Sequence, residues 1–191
     1  MNPEGHFYEG FFKNSLKDGY GLEVLSNSDC YFGEFYKDRK EGIGLYLFAK
    51  GGYYYGFFKN NEKHDYGILY SKVSHAFYFG EFRGDRKHGR GIEVLKDGSF
   101  YNGIYELNKR AGPGIMEYAN KSVYMGEWSN GQRSGKGRME GEGKVVSGNW
   151  QYDKIKMLSA VNLDEIMKPI YDQKLPASFE AYYKTCHHRF T

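Results

Sequence analysis

Apolar and polar positions alternate along most of this chain with the period of a β-strand, and the alternating runs are short. In Tyr78-Phe79-Gly80-Glu81-Phe82, the residues Tyr78, Gly80 and Phe82 stand at i, i+2 and i+4 and so share one face of a strand. A second run starts at Gly89 and Gly91 and continues through Ile92, Glu93, Val94 and Leu95. Between them lies Arg83-Gly84-Asp85-Arg86-Lys87-His88, rich in charge and turn formers. Lys96-Asp97-Gly98 leads into the next run. The pattern predicts two strands joined by a polar six-residue turn.

This unit recurs. The tyrosines at 8, 31, 54, 78, 101 and 124 are each followed by glycine at i+2, an aromatic at i+4, and glycine at i+11 and i+13, with one exception at residue 65. A truncated seventh copy reads Val146-Ser147-Gly148-Asn149-Trp150. The intervals between the seven starts are 23, 23, 24, 23, 23 and 22 residues. A fixed period of this size is the mark of a repeat architecture.

Glycine inside a strand costs stability unless something bulky lies close over the backbone. Here the natural candidate is an aromatic ring from the same or the neighbouring repeat. That accounts for 26 glycines alongside 18% aromatic residues in 191: the rings supply buried area and the glycines make room for it. Consecutive hairpins pairing edge to edge then form an all-β repeat array, an elongated, twisted, single-layer antiparallel sheet whose core is a stripe of stacked aromatics. At about 4.8 Å per strand, each unit advances roughly 10 Å and six span on the order of 60 Å. The array is expected over residues 6–152, with a helical tail over 153–191.

Tyr31-Phe32-Gly33-Glu34-Phe35 with Gly42-Ile43-Gly44, and Tyr124-Met125-Gly126-Glu127-Trp128 with Gly135-Lys136-Gly137, resemble the MORN (membrane occupation and recognition nexus) repeat. The resemblance covers about three quarters of the chain. It implies the hairpin array just described, no catalytic activity, and an aromatic-lined, partner-binding groove. By position, that groove is formed by Tyr31, Gly33 and Phe35; Tyr54, Gly56 and Phe58; Tyr78, Gly80 and Phe82; Tyr101, Gly103 and Tyr105; and Tyr124, Gly126 and Trp128. The family includes junctional membrane proteins, ciliary components and cytoskeletal scaffolds. A short chain made almost wholly of these repeats is similar to axonemal members such as radial-spoke subunits.

Some positions depart from the pattern. Asp65 replaces the first paired glycine of the third repeat, and Pro113 sits between the paired glycines of the fifth. One extra residue within 71–77 predicts a bulge or a change of twist there. Tyr8 opens the first strand after only seven residues, so a sheet edge is expected to be left open.

Past Trp150 the glycines stop. Asn162 can cap a helix starting at Leu163, with Leu163, Ile166, Met167, Ile170 and Tyr171 on one face and an end or kink at Pro169. Pro176 opens a second candidate helix, whose Phe179, Tyr182, Tyr183 and Phe190 are candidate docking residues, either on the last strand of this chain or on another protein.

The net charge of +3 is too small for a dedicated nucleic-acid binder, and no such motif is present. The cations recur at one place in successive repeats, and Arg83, Arg86 and Lys87 typify a basic edge that suits an acidic partner or anionic phospholipid. The plainer reading of that edge is a row of solvated turns. Glu34, Glu81 and Glu127 are expected to face solvent. The face opposite the fixed residues carries Phe11, Phe32, Tyr55, Phe57, Phe79, Ile104 and Met125, an apolar ribbon that needs a partner, a second copy or the tail to cover it. Cys30 and Cys186 suggest no disulfide framework and hence a reducing compartment, while Cys186-His187-His188 lacks the further ligands a zinc site needs. No catalytic signature, cofactor motif, signal peptide or membrane span is found. The residues predict a non-catalytic, cytoplasmic adaptor, and the resemblance implies a cytoskeletal one. Its partners are other subunits of a large assembly, with a partner helix in the groove, and self-association through faces or edges is open. Peripheral attachment to anionic lipid is the alternative.

Overall fold

The structure is a computed structural model and describes residues 5–172. Fourteen strands form one open antiparallel sheet, each paired with the next in chain order. They are β1 (Phe7–Lys13), β2 (Leu16–Val24), β3 (Cys30–Tyr36), β4 (Arg39–Leu47), β5 (Gly52–Lys59), β6 (Glu62–Ser71) and β7 (Ala76–Arg83), then β8 (Arg86–Val94), β9 (Phe100–Glu106), β10 (Lys109–Glu117), β11 (Val123–Ser129), β12 (Gln132–Gly141), β13 (Lys144–Gln151) and β14 (Lys154–Leu158). One helix follows, α1 (Leu163–Tyr171). The sheet thus runs past residue 152, because β14 completes the seventh hairpin.

A line of glycines crosses the sheet. Gly10, Gly21, Gly33, Gly44, Gly56, Gly67, Gly80, Gly91, Gly103, Gly114, Gly126, Gly137 and Gly148 pair one with the next from β1 to β13. The repeat tyrosines lie flat along this furrow. A Cβ at Gly91 would run into the Tyr78 ring, and one at Gly44 into the Tyr31 ring. Each ring's hydroxyl donates to the carbonyl three residues on, as Tyr31 to Glu34, Tyr78 to Glu81 and Tyr124 to Glu127, at 2.9–3.0 Å. The strand glycines are therefore a packing requirement for an aromatic layer.

The rings touch edge to face in one unbroken chain: Phe12, Tyr8, Phe35, Tyr31, Phe58, Tyr54, Phe82, Tyr78, Tyr105, Tyr101, Trp128, Tyr124 and Trp150. Centroid separations are 5.0–5.4 Å, in the favoured T-shaped range. Each tyrosine bridges the aromatic of its own repeat and that of the next, so neighbouring repeats share their core.

The six-residue turns expected between paired strands are two-residue turns. Lys37-Asp38, Asn60-Asn61, Gly84-Asp85, Leu107-Asn108 and Asn130-Gly131 all have positive φ at both residues, the type I′ geometry that matches strand twist. The second turn residue also binds the preceding repeat. The Asp85 amide donates to the Lys63 carbonyl at 3.1 Å, and its carboxylate accepts from the Lys63 amide at 3.0 Å. Asn61 with Lys40 and Asn108 with Lys87 repeat the link. The turns are stitched to one another along the edge.

The strands β6 and β7 pair without a register break from Asp65↔Phe82 to Ser71↔Ala76. Of the bulge or change of twist expected there, no bulge forms: the extra residue is taken up by a four-residue turn over 72–75. Bulges occur instead within each hairpin: residues 41–43 of β4 stand against Glu34 alone, and residues 134–136 of β12 against Glu127 alone.

Helix α1 starts at Leu163 as expected, but Asn162 makes no side-chain cap bond and Pro169 lies inside the helix. The helix packs against β10, β11 and β12. Its Met167 and Ile170 are buried yet belong to neither apolar cluster of the sheet, including the one that holds Met116 and Tyr124 of those strands. The second candidate helix, with Phe179, Tyr182, Tyr183 and Phe190, falls outside the described residues, as does Cys186-His187-His188.

Candidate binding groove

Every residue named as lining the groove is brought onto one face, here the ring face. The aromatics among them are core: Tyr31, Tyr54, Tyr101 and Tyr124 are fully buried, and Phe35, Phe58, Tyr78, Phe82, Tyr105 and Trp128 nearly so. They offer a partner little surface. The accessible apolar surface lies alongside them, on the even-numbered strands beyond the second paired glycine.

There the alternation that places Gly91 on the ring face also places Glu93 and Leu95 on it. Tyr46, Phe48, Leu69, Leu95, Tyr118 and Met139 pack against the ring stack and stay partly exposed. Two depressions form in this strip, of about 690 and 570 Å³. The first is lined by Leu69, Ala76, Tyr78, Lys87, Glu93 and Leu95 among others, the second by Asp29, Phe48, Ala49, Leu69 and Val73 among others. Leu69 and Ser71 belong to both, so the depressions adjoin. The irregular turn over 72–75 borders each through Ser74 or Val73. Sequence reasoning passed over these positions because they vary in identity; the signal was their spacing, two and four residues after the second glycine.

One cation per repeat lies over the ring stack. Lys87 Nζ stands 4.7 Å from the Tyr78 centroid and 5.5 Å from that of Tyr105. Lys17, Lys40, Lys63, Arg110 and Arg133 occupy the same position over Tyr8, Tyr31, Tyr54, Tyr101 and Tyr124. Two buried carboxylates meet four of these cations: Glu23 pairs with Lys17 and with Lys40 at 3.2 Å, and Glu93 pairs with Lys87, reaches Arg110 at 3.8 Å and accepts the Tyr105 hydroxyl at 2.9 Å. Burial pushes the Glu23 carboxyl up, but the bonds and charges of Lys17 and Lys40 outweigh it and hold the group below its usual range. Burial, helped by Glu93, drives the Tyr105 hydroxyl far above its ordinary value. Of the three residues named for the basic edge, Arg83 and Arg86 are exposed on strand ends, whereas Lys87 covers rings.

The repeat glutamates do not simply face solvent. Glu34, Glu81 and Glu127 fold over the bulge and accept the backbone N–H of the residue between the paired glycines: Ile43 at 3.3 Å, Arg90 at 2.8 Å and Lys136 at 2.6 Å. The carboxylate sits against the first glycine of each pair, Gly42, Gly89 and Gly135, all at positive φ. Among the described residues no cluster of His, Cys, Asp and Glu could hold a metal ion.

The family model described as MORN repeat matches residues 8–30, 31–53, 78–100, 101–123 and 124–144. No curated protein matches the sequence. Among solved structures, the SAS-4 (dCPAP) TCP domain of Drosophila melanogaster, in complex with a proline-rich motif of Ana2 (dSTIL), is similar at 10% identity and TM-score 0.47. That match covers 75% of this chain and 78% of that one. The wild-type TCP10 domain of Danio rerio CPAP, in complex with a peptide of STIL, is similar at 9% identity and TM-score 0.47, covering 74% of this chain and 63% of that one. Neither likeness carries an argument about this chain.

Proposed function

The chain belongs to the MORN repeat family, and on that premise we propose that it is a non-catalytic scaffold holding a segment of a partner protein in the strip beside the ring stack. The observation that carries the proposal is the pair of adjoining depressions around Leu69, open on a face whose rings are otherwise satisfied among themselves. Two repeats of groove extend roughly 20 Å, the length of about 13 helical residues. Its apolar floor of Phe48, Leu69 and Leu95, flanked by the Lys87–Glu93 pair, suits an amphipathic partner helix with charges at its margins.

The proposal extends to location. The resemblance of the repeats to those of axonemal members supports a place in the cytoplasm, in the cytoskeleton, and in a ciliary assembly such as a radial spoke. The alternative, attachment to anionic phospholipid, would rest on a free row of cations. Lys87 and its equivalents lie over rings or pair with Glu23, Glu93 and Asp85, while Lys37, Arg39, Lys59, Arg83, Arg86 and Lys109 stay exposed along the turn edge.

Fractionation of native cells with detergent and salt tests the scaffold reading. The tagged chain is expected in the detergent-resistant pellet, and a Leu69→Glu, Leu95→Glu variant in the soluble fraction. Release of the unmodified chain by detergent alone, with recovery on anionic vesicles, would instead support the membrane reading.

A further inference from the structure

Phe7, Phe11, Tyr20, Phe32, Ile43 and Tyr55 lie on the reverse face of β1–β5, opposite the rings, because strand alternation sets each beside a residue of the ring face, as Phe32 beside Gly33. All six are 38–68% exposed. They are not scattered. Leu22, Phe32, Leu45 and Tyr55 pair in turn across four strands, and Tyr20 and Ile43 flank that row on the side of the turns. Of the carboxylates on this face, Glu34 accepts the Ile43 amide and the Tyr20 hydroxyl, each at 3.3 Å, and Glu9 lies at the border on the outermost strand, β1. A single layer of strands leaves such a face in water, and a second sheet stacked about 10 Å away is what buries it.

We infer that two copies of this chain pack the reverse faces of β1–β5 against each other as a two-layer sandwich, with their strands antiparallel across a two-fold axis. The exposed area suits a second copy. At about 200 Å² per ring, the five rings expose roughly 500 Å², so a pair buries roughly 1,000 Å² from rings alone, and Ile43 and Leu47 add to it. A stable interface needs about 1,200 Å² in total. Charge fixes the direction. Lys13, Lys37, Arg39 and Lys59 are exposed at the turn end of these strands. Antiparallel stacking sets the two rows of cations at opposite margins, roughly 23 Å apart for seven-residue strands and well beyond the screening length of about 8 Å. A patch that meets its own image needs no second complementary surface. Both ring faces then point outward, so the pair carries two copies of the strip around Leu69.

Sedimentation equilibrium of the full chain at about 50 μM tests this, a concentration above the μM affinities that interfaces of this size reach. The expected mass is twice the 22.1 kDa of one chain. Phe32→Thr with Tyr55→Thr, and separately Tyr20→Thr with Ile43→Thr, keep strand-favouring residues at exposed positions. Each pair is expected to return the mass of one chain with the circular dichroism of the sheet intact. Leu95→Glu, on the ring face, is expected to keep the doubled mass. A single-chain mass for the unmodified protein overturns the inference and leaves the face to another protein or to a segment of the same chain. A doubled mass that survives both pairs of substitutions, or that is abolished by Leu95→Glu, overturns it by placing the contact elsewhere.

Discussion

Ile104 pairs with Ala111 at the edge of the register break that holds Pro113, and these two departures from the repeat pattern belong together. In the second, fourth and sixth repeats a glutamate accepts the N–H of the residue between the paired glycines. In the fifth, Ile104 replaces the glutamate and Pro113 has no N–H to give. Acceptor and donor are lost together, so neither is left unsatisfied.

A double-mutant cycle checks that pairing. Lys136→Pro in the native chain removes the donor from the Glu127 carboxylate and is expected to destabilise the sixth repeat by about 1.5–3 kcal/mol, the range for a hydrogen bond to a charged group. In a Glu127→Ile background the same change should cost clearly less. Equal costs in chemical denaturation would show that the carboxylate latch contributes nothing.

The ring-over-glycine contact predicts a severe effect from one methyl group. Gly91→Ala places a Cβ in the Tyr78 ring, and an overpacked site costs on the order of 1–3 kcal/mol. Because neighbouring repeats share rings, amide exchange should accelerate over β7–β9 first and spread outward. Tyr78→Phe keeps the ring and loses one hydroxyl bond, so it should cost only about 0.5–1.5 kcal/mol.

Acid sensitivity should trace in part to Glu23. Its carboxyl is held below the usual range when folded, so the stabilisation it provides is complete above the ordinary carboxylate pKa and is lost as pH falls through the folded value. Glu23→Gln should flatten the decline of melting temperature with acidification, while leaving Lys17 and Lys40 over their rings. A slope identical to that of the native chain would count against this pair.

Alkaline behaviour has the opposite sign. Burial raises the hydroxyls of Tyr31, Tyr54, Tyr78, Tyr101, Tyr105 and Tyr124, and burial with Glu81 pushes Tyr66 up to about 12. A raised pKa contributes stability below the unfolded value near 10 that is lost as pH climbs toward the folded one. Phenolate absorbance should therefore appear in two stages. The repeat tyrosines ionise only in the second stage, together with cooperative unfolding. Smooth, independent titration would contradict a sealed ring layer.

The repeat made the sheet legible, because the spacing of Tyr78, Gly80, Phe82 and Gly91 fixes both strand parity and the identity of the filler over the glycines. The turns were misjudged in length because Lys87 and His88 are charged or polar, and polarity suggests a loop. Their side chains instead lie along a strand, where Lys87 covers the Tyr78 ring. The glutamates were misplaced because a bulge brings Glu81 back onto the backbone of Arg90, nine residues away, a contact that strand alternation does not describe. The motif aromatics form the stack itself, and Leu69 and Leu95, which vary from repeat to repeat, pack beside it partly exposed.

The most direct test of the scaffold account is photo-cross-linking in native cells, with a benzophenone side chain placed at Leu95 in one chain and at Phe32 on the reverse face in another. Leu95 is expected to form a discrete adduct with one partner protein, lost on Leu69→Glu substitution, and Phe32 is expected to form none with that protein. Adducts from Phe32 alone, or from Leu95 to lipid, would contradict the account.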